Sequence, residues 1–171
     1  SSNIAIGRNS MNIGGSNSLG IGHSVGANNS GAEAVIIGNA AGQFGTTTES
    51  VLVGNWTARS AGGNYSVIMG HRANQGGAPH NSVHIGHSSG RKNDGDSNVA
   101  VGYQTISETT TGSTISNSVA VGYQALKGTT TSTASGVVAV GYQAGTALTT
   151  GGSNILIGYQ AGSTLTTESN K

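Results

Sequence analysis

A glycine preceded by the pattern aliphatic, any residue, aliphatic returns ten times along this chain. It stands at Gly7, Gly22, Gly38, Gly54, Gly70, Gly86, Gly102, Gly122, Gly141 and Gly158. A weaker half-copy, "MNIG", ends at Gly14. The copies "NVAVGYQT", "SVAVGYQA", "VVAVGYQA" and "NILIGYQA" are the most alike. A period of about 16 residues through the whole length leaves no domain boundary to place, so residues 1–171 read as one repeat domain.

Each repeat can be read by column. Three before the glycine stand Ile4, Leu19, Val35, Val51, Val67, Val83, Val99, Val119, Val138 and Ile155. One before it stand Ile6, Ile21, Ile37, Val53, Met69, Ile85, Val101, Val121, Val140 and Ile157. Apolar residues two apart, mostly β-branched, share one face of a short β-strand. The 30 glycines argue against helix. One such strand per 16-residue coil predicts an all-β parallel β-solenoid of about ten coils, with the Val/Ile columns as its narrow core. Asn or Ser stands four before the glycine in eight copies, where its side chain can bond nearby backbone groups at the strand entry. Three after the glycine come small residues, from Ser10 and Val25 to Ala144 and Ala161, which predict a second short strand facing the same interior.

Composition narrows the function classes. With 13 charged residues and a net charge of +1, the chain offers no basic surface for nucleic acid. No apolar run reaches the ~20 residues of a membrane span. There is no cysteine. The chain begins at Ser1 and shows no signal peptide, so it reads as a segment of a larger protein or a processed chain.

The column between the two aliphatics holds Ala5, Gly20, Ile36, Leu52, Ile68, His84, Ala100, Ala120, Ala139 and Leu156. Nine of these ten are apolar or glycine, although an outward column on a half-exposed strand should be polar. A strand apolar on both faces is covered on both. A second copy of the chain is the simplest cover, so this column is the expected subunit interface.

The units "SNVAVG", "NSVAVG", "NSVHIG", "ESVLVG" and "YSVIMG" resemble the head repeats of trimeric autotransporter adhesins, the YadA-like β-roll. The "GYQAG" variant, as in "GGSNILIGYQAG", is similar to repeats of phage tail-fibre proteins. The resemblance spans the whole chain. It implies a left-handed roll, a homotrimer and an extracellular place, on a virion tail fibre or a bacterial surface. The coils here, at 16 or more residues, exceed the usual repeat of that family, about 14 residues long.

Residues that can carry chemistry are few. Tyr103, Tyr123, Tyr142 and Tyr159, each followed by Gln104, Gln124, Gln143 or Gln160, would stack into aromatic and amide ladders, with a sugar-binding aromatic strip as the functional alternative. Arg8, His23, Asn39, Asn55, His71 and His87 hold the tyrosine column in earlier coils. In "HIGH", His84 falls in the expected interface column, where it reads as a packing or water-bridged histidine, with an axial metal or anion site shared by three symmetry copies as the alternative; no carboxylate or cysteine accompanies it. The segment "GRKNDGDSN", with Arg91, Lys92, Asp94 and Asp96, reads as a solvated turn, since a calcium loop needs further ligands and a closing Glu. No Gly-Lys-Ser/Thr ending marks a phosphate loop. Glu33, Glu49, Asp94, Asp96, Glu108 and Glu168 are scattered, and no nucleophile–base set accompanies them, so neither an enzyme nor a cofactor is expected.

Three functions fit: a structural and receptor-contacting segment of a phage tail fibre, the head of a bacterial adhesin, and an ice-binding solenoid. The last needs an aligned Thr column, and the threonines here run in irregular clusters. Spacing widens to 20 between Gly102 and Gly122 and to 19 between Gly122 and Gly141. The added residues fall at bends, and loops of this kind on a solenoid often form its binding face. They bring forward Thr109, Thr110, Thr111, Ser113, Lys127, Thr129, Thr130 and Thr131 as contacts for a cell-surface glycan or protein receptor, with spacers that fill the outer groove of a trimer as the alternative. The ending "LTTESNK" places Lys171 where the next aliphatic is due, so the roll is expected to stop or change there.

Overall fold

A computed structural model describes residues 2–10, 16–60, 63–108, 112–128 and 132–171. The half-copy at Gly14 lies outside them. Ten strands follow in order: β1 (Ile4–Ile6), β2 (Leu19–His23), β3 (Val35–Asn39), β4 (Val51–Val53), β5 (Val67–Met69), β6 (Val83–Ile85), β7 (Val99–Val101), β8 (Val119–Val121), β9 (Val138–Val140) and β10 (Ile155–Ile157). They form one parallel sheet in sequence order, the stack of a β-solenoid of about nine turns. Register follows the repeat: Val99 pairs with Val119 and Val119 with Val138, across the wide coils as across the narrow ones. Among the described residues there is no helix.

The two faces of the sheet are exchanged relative to the sequence expectation. Ile36, Leu52, Ile68, His84, Ala100, Ala120 and Ala139 are at most 1 % exposed, and Gly20 and Leu156 are also buried. This middle column is the core of a single chain and does not face a neighbouring subunit. Ala5 shares its register, pairing with Gly20, and is exposed in the first coil. The flanking aliphatics, expected inside, point outward and are half-buried or exposed. The reason lies in the pleat and the width of the roll. A three-residue strand turns either one residue or two to the interior, and the interior of so thin a coil has room for one.

Size compensation keeps that interior filled. Four residues past the glycine, the bend faces the strand. Large middle residues meet small partners there: Leu52 with Ala58, and His84 with Gly90. Two middle alanines meet large ones, Ala100 with Ile106 and Ala120 with Leu126, all buried, whereas at Ala139 the bend residue is Gly145, and Leu126, Leu148 and Leu156 fill the space beside it. A methyl added at Gly42 would lie about 3.0 Å from Leu52 Cδ1, so this glycine makes room for a leucine.

Among the described residues no second strand follows the glycine. The residues three after it are interior as expected, with Val25, Ala41, Thr57, Ala73, Ser89, Thr105, Ala125 and Ala144 fully buried. They sit in a bend built on left-handed backbone. The second residue after the glycine has positive φ in every coil, at Asn9 (53°), Ser88 (55°) and Gln104 (53°) for example. Ile106, a β-branched residue, is held at φ 44°, a conformation such residues rarely adopt. The polar +3 residues close their hydroxyls onto the next coil, as Thr57 Oγ1 does on Gly70 O at 2.6 Å.

The Asn/Ser column does more than guard the strand entry. The backbone N–H of each later coil donates to the side-chain oxygen of the coil before: Ser66 to Ser50 Oγ (3.0 Å), Ser82 to Ser66 Oγ (3.1 Å), Asn98 to Ser82 Oγ (3.1 Å) and Ser118 to Asn98 Oδ1 (3.0 Å). Lys171 joins this ladder, its N–H donating to Asn154 Oδ1 at 2.8 Å. It therefore occupies the Asn/Ser position, one place before the aliphatic position expected from sequence.

Candidate functional site

Four structural features bear on function: the outward sheet face, the ring ladder beside it, the bends of the wide coils, and two buried ionisable groups.

The outward face carries both aliphatic columns through all ten strands, and neither column holds one polar side chain. At ~4.8 Å per strand it runs roughly 45 Å. Ile4 is 60 % exposed, Ile6 55 %, Ile155 66 % and Ile157 67 %, and the interior members remain half-exposed. Contiguous apolar surface of this extent is characteristic of a contact surface.

Beside it the expected ladders form. The rings of Tyr103, Tyr123, Tyr142 and Tyr159 stack at 5.1, 5.1 and 5.2 Å with planes within 8°. The stack continues through His87 and His71 to Trp56. Arg72 lies over Trp56 at 4.8 Å, and Arg59 lies over both Phe44 and Trp56 at 5.7 Å. The glutamines join amide to amide, Gln124 Nε2 donating to Gln104 Oε1 (2.9 Å) and Gln143 Nε2 to Gln124 Oε1 (3.0 Å). Each inner tyrosine has both faces covered by other rings. Sugars stack on ring faces, so a run of carbohydrate-stacking platforms is not what this column presents; it offers edges and hydroxyls. In the histidine part, desolvation first, then the charges of His87 and Arg72, lower the His71 pKa.

The wide coils place part of their added chain inside the roll. Ile115 and Ala134 are buried with the core. Ser113, expected at a receptor surface, is fully buried, and its Oγ donates to Ser132 O at 2.7 Å. It is unavailable to a receptor. Lys127 is half-exposed. Thr109, Thr110, Thr111, Thr129, Thr130 and Thr131 lie outside the described residues.

Glu108 begins the first of these bends with its carboxylate buried against Gly128. Desolvation raises its pKa to about 7, moderated by Ser113 and the Gly128 amide, although neither reaches it with hydrogen-bond geometry. His84 is fully buried, with no partner for either ring nitrogen, and desolvation lowers its pKa to about 4. An imidazole enclosed in the core of one chain cannot meet its symmetry copies on an axis, which removes His84 as an axial ligand. Among the described residues no three His, Asp or Glu side chains converge as metal ligands. In "GRKNDGDSN" the exposed Asp94 and Asp96 accept backbone N–H groups from the preceding coil, from Ala78 at 3.1 Å and His80 at 2.7 Å.

Sequence reading did not anticipate the roles of Gly90 and Glu108. The signal for Gly90 was present: glycine or alanine stands at +4 behind Ile36, Leu52 and Leu156, with Asn74 behind Ile68 as the exception. Glu108 carries no comparable signal, because a carboxylate in a Thr/Ser-rich stretch reads as solvated.

Comparison with family models, with curated proteins and with solved structures yields no match to this chain.

Proposed function

We propose that this chain is a non-enzymatic structural segment of a homotrimeric extracellular fibre, a left-handed roll whose outward Val/Ile face packs against two further copies. The uncovered aliphatic face carries the reading. Twenty aliphatic or methionine side chains in two unbroken columns would be covered in an assembly, and repetition on every coil suits a partner that runs the full length of the roll. The threefold number and the handedness rest on the resemblance of the repeats to adhesin heads and phage tail fibres. The tyrosine–glutamine coils favour a phage tail fibre that meets a host surface over a bacterial adhesin. The wide coils are the receptor-contacting part of this reading.

The test is mass in solution. Light scattering should return three times the 16.8 kDa of one chain. Val121→Asp with Val140→Asp should give a folded monomer, because both replace outward residues and spare the core. A stable, monodisperse wild-type monomer would end the proposal.

A further inference from the structure

The hydrophobic core is not continuous. One cluster of buried apolar side chains runs from Val25 to Ala73, and a second from Ala100 to Leu156, with no residue in common. Between them lies one complete coil, that of β6. Its interior consists of His84, Ser89, Gly90 and Asn93, without one aliphatic side chain. Every other described coil from β2 to β10 contributes at least one aliphatic interior side chain.

This polar layer is bonded unequally to its two neighbours. Toward the following coil, side chains hold it. Ser89 Oγ donates to Ala100 O at 2.8 Å and lies 2.9 Å from Thr105 Oγ1. Asn93 Oδ1 accepts the Ile115 N–H at 2.9 Å, and its Nδ2 donates to Ile115 O at 3.0 Å. Toward the preceding coil the interior offers one side-chain bond, the ladder rung from Ser82 N–H to Ser66 Oγ at 3.1 Å, and otherwise backbone bonds such as Asn74 N–H to Ser89 O at 2.8 Å. On that side His84 lies against Ile68 with both ring nitrogens unpartnered. The β6 coil thus interrupts the apolar core, and of its two sides the one toward β5 has the fewer interior side-chain bonds.

We propose that this interval is a seam at which the roll opens into two separately cooperative halves, and that acid opens it. In a solenoid, stability is a sum of coil terms and nearest-neighbour terms, so one weak interface divides the unit. The acid sensitivity comes from His84. The groups that face it are Ile68 from β5, Ala100 from β7 and Gly90 across the bend, none of them charged. Nothing near it offsets a proton, so the closed seam holds the imidazole neutral, while opening exposes it to water. The closed state is favoured above the ordinary imidazole value of 6.5 and loses that advantage as pH falls toward about 4. At pH 5 the opening equilibrium rises roughly 30-fold over that for a permanently neutral side chain.

Hydrogen exchange on the full chain, read as protection factors at pH 7 and pH 5, tests this. The amides of Asn74, Gly86 and Ser88 cross the seam, bonding to Ser89, Met69 and His71. Their protection should be lower than that of amides within either half. It should fall a further 20- to 30-fold at pH 5, while protection within the halves changes far less. In His84→Leu, which copies the Leu52 and Leu156 coils, that extra loss should vanish. Uniform protection along the chain at both pH values overturns the seam. An acid effect that persists in His84→Leu overturns the role of His84. If the leucine variant does not fold, the wild-type comparison decides: a pH-independent protection pattern overturns the proposal, and selective loss across the seam at pH 5 supports it.

Discussion

An alanine at Gly86 meets two obstacles at once. The backbone there is at φ 130°, and an added Cβ would run into the carbonyl of Gly102 in the next coil. Neither neighbour is a side chain able to move aside. Gly86→Ala should therefore cost roughly 2–5 kcal/mol, strain and overpacking together. Gly112→Ala isolates the first term, because φ is 92° and nothing lies within 4 Å of the new methyl; its cost should be about 1–2 kcal/mol. Urea denaturation of the two variants measures the difference, and equal costs would refute the close-approach argument. Glu108 supplies a second residue-scale test. Its folded pKa is raised, from 4.5 to about 7, so burial of the neutral acid is tolerated below pH 4.5 and becomes costly as pH rises through 7. The loss should be on the order of 2–3 kcal/mol. Glu108→Gln should gain stability over wild type at pH 8 and little at pH 4, as read from denaturation midpoints. This trend is opposite in sign to that of His84, so the two groups partly cancel in the whole-chain pH profile between about pH 4.5 and 6.5.

At the scale of the element, the strands are only three to five residues long, and pairing alone would not hold them. Ladders on either side of the sheet hold the coils in register. Tyr123 stacks on Tyr103 and on Tyr142, whereas Tyr159 stacks on Tyr142 alone. At about 0.5–1.5 kcal/mol per ring pair, Tyr123→Ala should cost about twice as much as Tyr159→Ala. Thermal unfolding of the two variants checks this, and equal losses would mean that the rings contribute independently of their neighbours. The existence, spacing and register of these elements were legible in the glycine period, because a parallel stack copies each column onto the next. The inward face was not. Uniform aliphatics at −3 and −1 look more like a core than a middle column that mixes Gly20, Ala100, His84 and Leu52. Only the compensating residue across the bend, Ile106 for Ala100 and Gly90 for His84, reveals that the uneven column is the packed one. The left-handed bend was hidden for a related reason: Gln104, Ile106 and Trp56 carry no signature of positive φ, and the stack imposes it on them.

For the whole molecule, the exchange of faces redirects mutational effects. Ala120→Arg, which the sequence alone would assign to subunit separation, should instead unfold its coil by placing a charge in the core. Charges on the outward columns should act on association. Recognition, on the proposed reading, belongs to the two wide coils. Shortening both to the 16-residue spacing should abolish binding to host cells while the number of chains in the assembly stays unchanged. Full binding by the shortened chain would leave the segment as a shaft. That part of the candidate site was only partly readable. The widened spacing marks where the bulges are, but Ser113, one of the hydroxyls there, turns inward to bond its own neighbour.

The Asn/Ser ladder has a direction. Each later coil donates a backbone N–H to the coil before it, and never needs to know what lies two coils away. Ser50, Ser66, Ser82 and Asn98 perform the same task in succession. A duplicated coil inserted in frame would find its acceptor waiting and would present its own to the next. Each such duplication adds one rise of ~4.8 Å without disturbing any existing contact pattern. The length of the rod is therefore set by copy number in the gene, and a lineage can lengthen or shorten its reach by recombination between near-identical repeats while the fold remains the same.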